Sequence, residues 1–240
     1  MNDRIRKLRE QSLDARPTIT PERASLITEF YKSDLAEQVS SPMRRALAFK
    51  HLLGKKAVCI NEGELIVGER GPAPKLTPTY PEVTAHSLED LKILNTREKT
   101  SFSVDEETMN IYQKTIIPFW KGRSVRDRIF QQMTQEWKDS FAAGVYTEFM
   151  EQRAPGHTVL DDKIYKKGFL DFKQDIEKSI ASLDFLNDSN ALAKQEELKA
   201  MSISADALIR FAERHAEKAR ELSQAETDLK RKKELERIAE

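Results

Sequence analysis

Leu198–Leu222 reads LKAMSISADALIRFAERHAEKAREL. Leu198, Met201, Ala205, Leu208, Ala212, His215, Ala219 and Leu222 recur at alternating spacings of three and four. That is a heptad seam along one face of a helix. Its alanines allow a neighbouring helix to approach closely. One reading is a coiled coil that binds a partner. The plainer and preferred reading is a long helix, over about 190–223, packed inside its own protein.

Working outward from the seam, the rest of the chain is helical too, because its helix starts are unusually legible. Thr20 before Pro21 and Ser41 before Pro42 each set a cap residue ahead of a first-turn proline. Ser87-Leu88-Glu89-Asp90, Ser103-Val104-Asp105-Glu106 and Ser124-Val125-Arg126-Asp127 carry the S-x-x-[DE] pattern. There the serine accepts from an orphan amide and the acid reaches back to the cap. The expected helices cover about 2–14, 21–33, 42–55, 87–94, 104–117, 125–132, 135–143, 164–183, 190–223 and 227–240.

One segment departs from the helical habit. Ala57–Ile60 and Leu65–Val67 flank Asn61-Glu62-Gly63-Glu64, which predicts a short β-hairpin. Pro72, Pro74, Pro78 and Pro81 then make an extended connector over 71–81. The fold class is therefore mostly α with a short β-hairpin. Lys230–Glu240, KRKKELERIAE, has no Gly or Asn after it and reads as a helix cut in mid-course.

Composition excludes several classes. Lys+Arg and Asp+Glu are both 40, a net charge of zero, so no basic surplus points to nucleic acid. No apolar run approaches membrane-spanning length, and the first residues lack a signal-peptide core. The lone cysteine, Cys59, forms no intramolecular disulfide and no thiolate cage. These features lead to the expectation of a cytoplasmic, reduced setting with neither nucleic acid nor membrane as partner. No Walker or dinucleotide glycine motif occurs, and neither H-E-x-x-H nor E-x-x-H is present. No metal site is expected. His51, His86 and His215 all have structural explanations. Cys59, between Val58 and Ile60, reads as a small buried hydrophobe rather than a reactive thiol.

The stretch that invites chemistry is Thr147–Val159, TEFMEQRAPGHTV. In a helical turn Glu148 and Glu151 share a face, with Arg153 near both. Pro155-Gly156 bends the chain, and His157 follows. An imidazole moves protons near neutral pH, and Phe149 would form an apolar wall beside it. The ordinary alternative is a surface bend with a salt bridge.

Several stretches together resemble one family. They are ALAFKHLL (46–53), INEGELIVGERG (60–71), PTYPEVTAHSLEDL (78–91), FSVDEE (102–107), IIPFWKGRSVRDRI (116–129), YTEFMEQRAPGHTV (146–159), IYKKGFLDFKQDIE (164–177) and LDFLND (183–188). The chain resembles the N-terminal portion of a glycyl radical enzyme of the pyruvate formate-lyase-like superfamily. INEGELIVGE marks the superfamily, whereas EFMEQRAPGHTV with IYKKGFLD points to its hydroxyproline-dehydrating members. The resemblance implies a ten-stranded α/β barrel, of which residues 1–240 supply outer helices, early barrel contacts and a substrate-pocket loop over 147–160. It implies an anaerobic lyase that dehydrates trans-4-hydroxy-L-proline to a pyrroline carboxylate. Alternatives are a diol dehydratase, a C–S lyase of the isethionate sulfite-lyase kind, or a formate acetyltransferase. A truncated, non-catalytic helical interaction protein is the alternative outside the family.

The cofactor that the resemblance implies is a protein glycyl radical, installed by an S-adenosylmethionine-dependent iron–sulfur activase. The implied partners are that activase, a small-molecule substrate and, as one possible assembly, a second copy in a homodimer. Neither the catalytic cysteine motif nor the radical glycine loop occurs in residues 1–240, and Cys59 does not stand in the former. The C-terminal glycyl radical domain is absent, so this chain alone is expected not to turn over. By resemblance Phe149 packs against the substrate ring, and His157 contacts its polar groups as a catalytic acid or base or as a hydroxyl contact.

Overall fold

A computed structural model describes residues 2–146 and 161–240. Its helices are Asp3–Asp14 (α1), Glu22–Tyr31 (α2), Asp34–Gln38 (α3), Ser41–Lys55 (α4), Leu88–Thr96 (α5), Glu106–Ile111 (α6), Ile117–Trp120 (α7), Val125–Gln132 (α8), Gln135–Ala142 (α9), Phe169–Ala181 (α10), Ala191–Ala225 (α11) and Leu229–Ile238 (α12). The strands are Thr18–Thr20 (β1) and Leu76–Pro78 (β2).

Of the expected caps, Ser87 and Ser124 act where local sequence places them, whereas α2 is capped at Pro21 rather than Thr20 and α4 at Ser40 rather than Ser41. At α5, Ser87 Oγ accepts from the Asp90 amide at 3.0 Å, and Asp90 accepts from the Ser87 amide at 2.8 Å. Ser124 receives the Asp127 amide at 3.0 Å, but the Asp127 carboxylate turns to the Gly122 amide at 2.9 Å. At α6 the cap moves to Asp105, whose carboxylate accepts from Thr108 at 2.7 Å, in place of Ser103. Ser103 is occupied otherwise: its backbone exchanges bonds with Pro17 and Ile19 beside β1.

The expected hairpin is not formed. Among the described residues the strands are β1 and β2, paired in parallel with Thr18, Ile19 and Thr20 opposite Leu76, Thr77 and Pro78. The turn at Asn61–Glu64 does exist, with Gly63 at φ +81° and the Glu64 amide on the Asn61 carbonyl at 3.3 Å. Side chains take its carbonyls. Arg231 donates to the carbonyls of Asn61 (3.1 Å) and Glu64 (2.6 Å), and Arg4 to that of Gly63 (3.3 Å). Two arginines from α1 and α12 thus satisfy acceptors that a partner strand would otherwise take. Ile66 is left 92% exposed.

The helix expected over 104–117 runs further, through Pro118 to Trp120. α6 and α7 are joined by a π-helical turn, Tyr112–Ile116, in which the Ile117 amide reaches back to the Tyr112 carbonyl. Pro118 has no amide hydrogen and crowds the preceding turn of an α-helix. The wider turn lets the chain continue past it, and both ends of the turn are fully buried, at Tyr112 and Ile116.

The core gathers Ile19 of β1, Ala24, Ile27 and Phe30 of α2, Ala48 and Leu52 of α4, Leu91 of α5, and Tyr112, Ile116 and Trp120. α11, of 35 residues, packs on α4, α10 and α12, which is the internal role preferred for the seam. The seam is not buried as one line. Ala205, His215 and Ala219 are buried with Ala200, Ala207 and Ser223, whereas Met201 and Ala212 are exposed. A straight α-helix drifts about 20° per heptad against a 3.5-residue repeat, so the contact face leaves the seam. Arg214 fixes the join by donating to the C-terminal carbonyls of α4, Leu53 at 2.6 Å and Lys56 at 2.8 Å.

Candidate functional site

Phe149 and His157 lie outside the described residues, as do Glu148, Glu151, Arg153, Pro155 and Gly156. The structure describes the chain on either side of them.

On the entering side, α8 and α9 carry a cluster of rings. The first α8 amides, Val125 and Arg126, donate to the carbonyls of Glu82 (2.9 Å) and Val83 (3.1 Å), just past the connector. Glu82 in turn holds Arg23, which also donates to the Thr79 carbonyl at 3.0 Å and stacks on Tyr80 at 3.9 Å. From this anchored start Arg126 lies over the Phe130 ring at 4.5 Å, and Phe130 meets Phe141 edge-on at 5.0 Å. α9 ends in a Schellman motif: Gly144 at φ +73° donates to Phe141, and Val145 donates to Ser140. That reversal lays Tyr146 back on α9, with its ring 5.4 Å from Trp137 and 5.8 Å from Phe141. Its hydroxyl donates to the Trp137 carbonyl at 2.8 Å.

On the leaving side a 3₁₀ turn, Asp161–Tyr165, precedes α10. The Gly168 amide donates to Asp171 at 2.8 Å and starts the helix. Lys167 pairs with Asp175, and its hydrogen bond holds the Asp175 carboxyl below the usual range. Ile164, Phe169, Phe172 and Ile176 line a groove of about 830 Å³ with Leu198, Met201 and Leu208 of α11. Its walls are mostly apolar, and of the two acids at its edge, Asp175 and Glu197, Asp175 is paired with Lys167. The groove suits packing rather than proton transfer.

The remaining candidates behave structurally. Cys59 is half-buried, and its thiol donates to Asn61 Oδ1 at 3.2 Å. Burial, then Glu64 and Glu69, push that thiol up, the reverse of an activated nucleophile. His215 is buried, with Nδ1 2.9 Å from the Phe211 carbonyl and its ring edge-on to Phe211. His51 rests against Phe30 and lies 3.6 Å from Glu29. Among the described residues no group of three His, Cys, Asp or Glu side chains is placed to hold a metal. No described helix is long and apolar enough to cross a membrane. Sequence reasoning missed the Arg23 clamp and the ring cluster. The i,i+4 pair Trp137 and Phe141 was the available signal for the latter.

With this architecture in view, the class is settled: the chain belongs to the pyruvate formate lyase-like family, whose model matches residues 1–240. Over 238 residues it is 52% identical to trans-4-hydroxy-L-proline dehydratase of Clostridioides difficile, covering 99% of this chain and 30% of that protein. It is 30% identical over 249 residues to isethionate sulfite-lyase of Nitratidesulfovibrio vulgaris, with coverage of 100% and 30%. The crystal structure of the C. difficile hydroxyproline dehydratase with trans-4-hydroxy-L-proline bound superposes with a TM-score of 0.93 at 51% identity, over 100% of this chain and 30% of that one. The chain thus spans about 30% of the length of the relatives it matches. A glycyl radical enzyme from Archaeoglobus fulgidus superposes with a TM-score of 0.84 at 27% identity, over 99% of this chain and 30% of that one.

Proposed function

We propose that residues 1–240 are the N-terminal segment of a glycyl radical hydro-lyase that dehydrates trans-4-hydroxy-L-proline. In this reading they supply helical scaffold and the pocket loop 147–160. One observation carries the choice of substrate. Identity is 52% to the hydroxyproline dehydratase but 30% to the isethionate sulfite-lyase over nearly the same residues.

The glycyl radical of the complete enzyme supplies hydrogen-atom abstraction through a cysteine, and we place both carriers outside residues 1–240. Cys59 does not fit the second role. It stands on the segment held by Arg4 and Arg231, engaged with Asn61 and facing Glu64 and Glu69. The activase that installs the radical is the partner this reading requires. It sets the enzyme in an anaerobic cytoplasm and allows a homodimer.

Within the loop Phe149 excludes water from one face of the ring, and His157 contacts the polar substituents and moves a proton at the departing hydroxyl. The test uses the complete enzyme, activated anaerobically and supplied with trans-4-hydroxy-L-proline. The pyrroline product is expected. His157→Ala is expected to lower turnover about a hundredfold with the radical still installed. Normal turnover by that variant would remove His157 from the mechanism, and no product from the parent enzyme would remove the substrate.

A further inference from the structure

We infer that Tyr146 is a positioning residue for substrate, acting through the ring-and-hydroxyl clamp that fixes where the chain leaves α9. The inference rests on the reading of 147–160 as a pocket loop, since Tyr146 is the residue immediately before it.

Three observations converge. First, the clamp is attached to the rigid part of the fold. Helix α8 starts on the carbonyls of Glu82 and Val83, and Glu82 is tied to Arg23 on α2. Arg126, Phe130 and Phe141 then carry the connection across to α9.

Second, the clamp is not part of the hydrophobic core. Neither α8 nor α9 has a fully buried residue, and Trp137 remains 57% exposed. Core burial therefore does not explain the convergence of four rings, Phe130, Trp137, Phe141 and Tyr146. Edge-on ring pairs gain attraction beyond area burial, which favours one placement over others.

Third, the geometry is over-determined at Tyr146. The left-handed Gly144 reverses the chain, the Trp137 and Phe141 rings receive the phenol ring, and the Trp137 carbonyl receives its hydroxyl. Trp137 and Phe141 stand four apart on α9, so they present one face to it. A misplacement of about 1 Å in a pocket costs up to about a hundredfold in rate. Fixing the last residue before the loop limits that error.

The test compares Tyr146→Ala, Tyr146→Phe, Gly144→Ala and His157→Ala in the complete activated enzyme, reading kcat, KM and glycyl radical content by electron paramagnetic resonance. Tyr146→Ala is expected to raise KM about tenfold and to lower kcat less, with radical content unchanged. Tyr146→Phe keeps the rings, loses the hydroxyl bond and should raise KM only about threefold. Gly144→Ala should shift KM in the same direction by straining the reversal, since a Cβ there meets nothing within 4 Å and only backbone geometry is disturbed.

Unchanged KM in Tyr146→Ala overturns the inference. So does a loss of radical content that matches the loss of activity in both Tyr146 variants, which marks Tyr146 as merely structural. If Tyr146→Ala fails to fold, Tyr146→Phe and Gly144→Ala decide the matter by the same criterion. Normal kinetics in His157→Ala alone sinks the pocket assignment of that histidine and leaves the KM readout for Tyr146 standing.

Discussion

Trp120 donates its indole N–H to the hydroxyl of Thr28 at 2.8 Å, at the point where the end of the π-interrupted helix meets α2. The same hydroxyl donates to the Ala24 carbonyl at 2.6 Å, so Thr28 is acceptor and donor at once. Thr28 is fully buried and Trp120 almost so. Burial leaves water no route to either group. The bond is therefore a requirement of the packing rather than an addition to it.

Thr28→Val keeps the shape and removes the acceptor. It leaves the Trp120 indole N–H buried without a partner, at a cost of about 1–3 kcal/mol. Urea unfolding followed by tryptophan fluorescence should show that loss. Thr28→Ser, which restores the hydroxyl and loses only a methyl, should recover most of it. Equal destabilisation by valine and serine would mean that the methyl, not the hydroxyl, matters at this site.

How much of this was legible in advance depended on how local the cause was. Ser87 and Ser124 act within their own first turn, so the sequence pattern was enough. The strands were not legible. β1 and β2 are three residues each and pair across most of the first third of the chain. The turn around Gly63 looked like a hairpin because nothing local reveals that Arg4 and Arg231 arrive from α1 and α12. The helix expected over 104–117 continues to Trp120, because the Tyr112–Ile116 turn absorbs Pro118. The 198–222 seam gave the right helix and an inexact face, because a straight helix does not hold a heptad line. Phe149 and His157 stand on motif alone, outside the described residues, while the clamp at Tyr146 emerged from tertiary ring contacts.

Gly71 makes a second, sharper prediction. A Cβ at this position would lie 2.6 Å from both the Leu76 Cβ and the Leu76 carbonyl oxygen. The carbonyl belongs to backbone at the start of β2, which is paired with β1 and cannot rotate aside. Gly71→Ala should therefore destabilise by about 1–3 kcal/mol through overpacking and local displacement of the connector. Gly54→Ala is the matched control. It sits in α4 with nothing within 4 Å of its Cβ, and should be neutral or stabilising by up to about 1 kcal/mol. Thermal melts of the two variants side by side separate the cases. A Gly71→Ala protein as stable as the parent would show that the connector does not press on β2.

Tyr112 supplies a pH dependence whose sign is fixed by burial. Its ring is fully buried, and its hydroxyl is bonded to Thr79. Burial disfavours the phenolate and pushes the group up to about 12, against the opposing effects of the Thr79 bond and Arg23. In the unfolded chain a tyrosine ionises near 10. Below that value both states hold the neutral phenol, and the full stability is present. Between about 10 and 12 the unfolded chain releases its proton first, so stability falls as pH rises, and above about 12 the loss levels off. A displacement of about two pH units corresponds to roughly 3 kcal/mol. Tyr31, also raised chiefly by burial, adds to the same slope. Tyr112→Phe should therefore flatten the alkaline limb of a plot of unfolding free energy against pH. It should also remove one late-titrating phenolate from the ultraviolet absorbance. If the variant and parent give superimposable alkaline limbs, Tyr112 ionises like an exposed phenol, and the packing of the π-turn against Thr79 is not as tight as the structure has it.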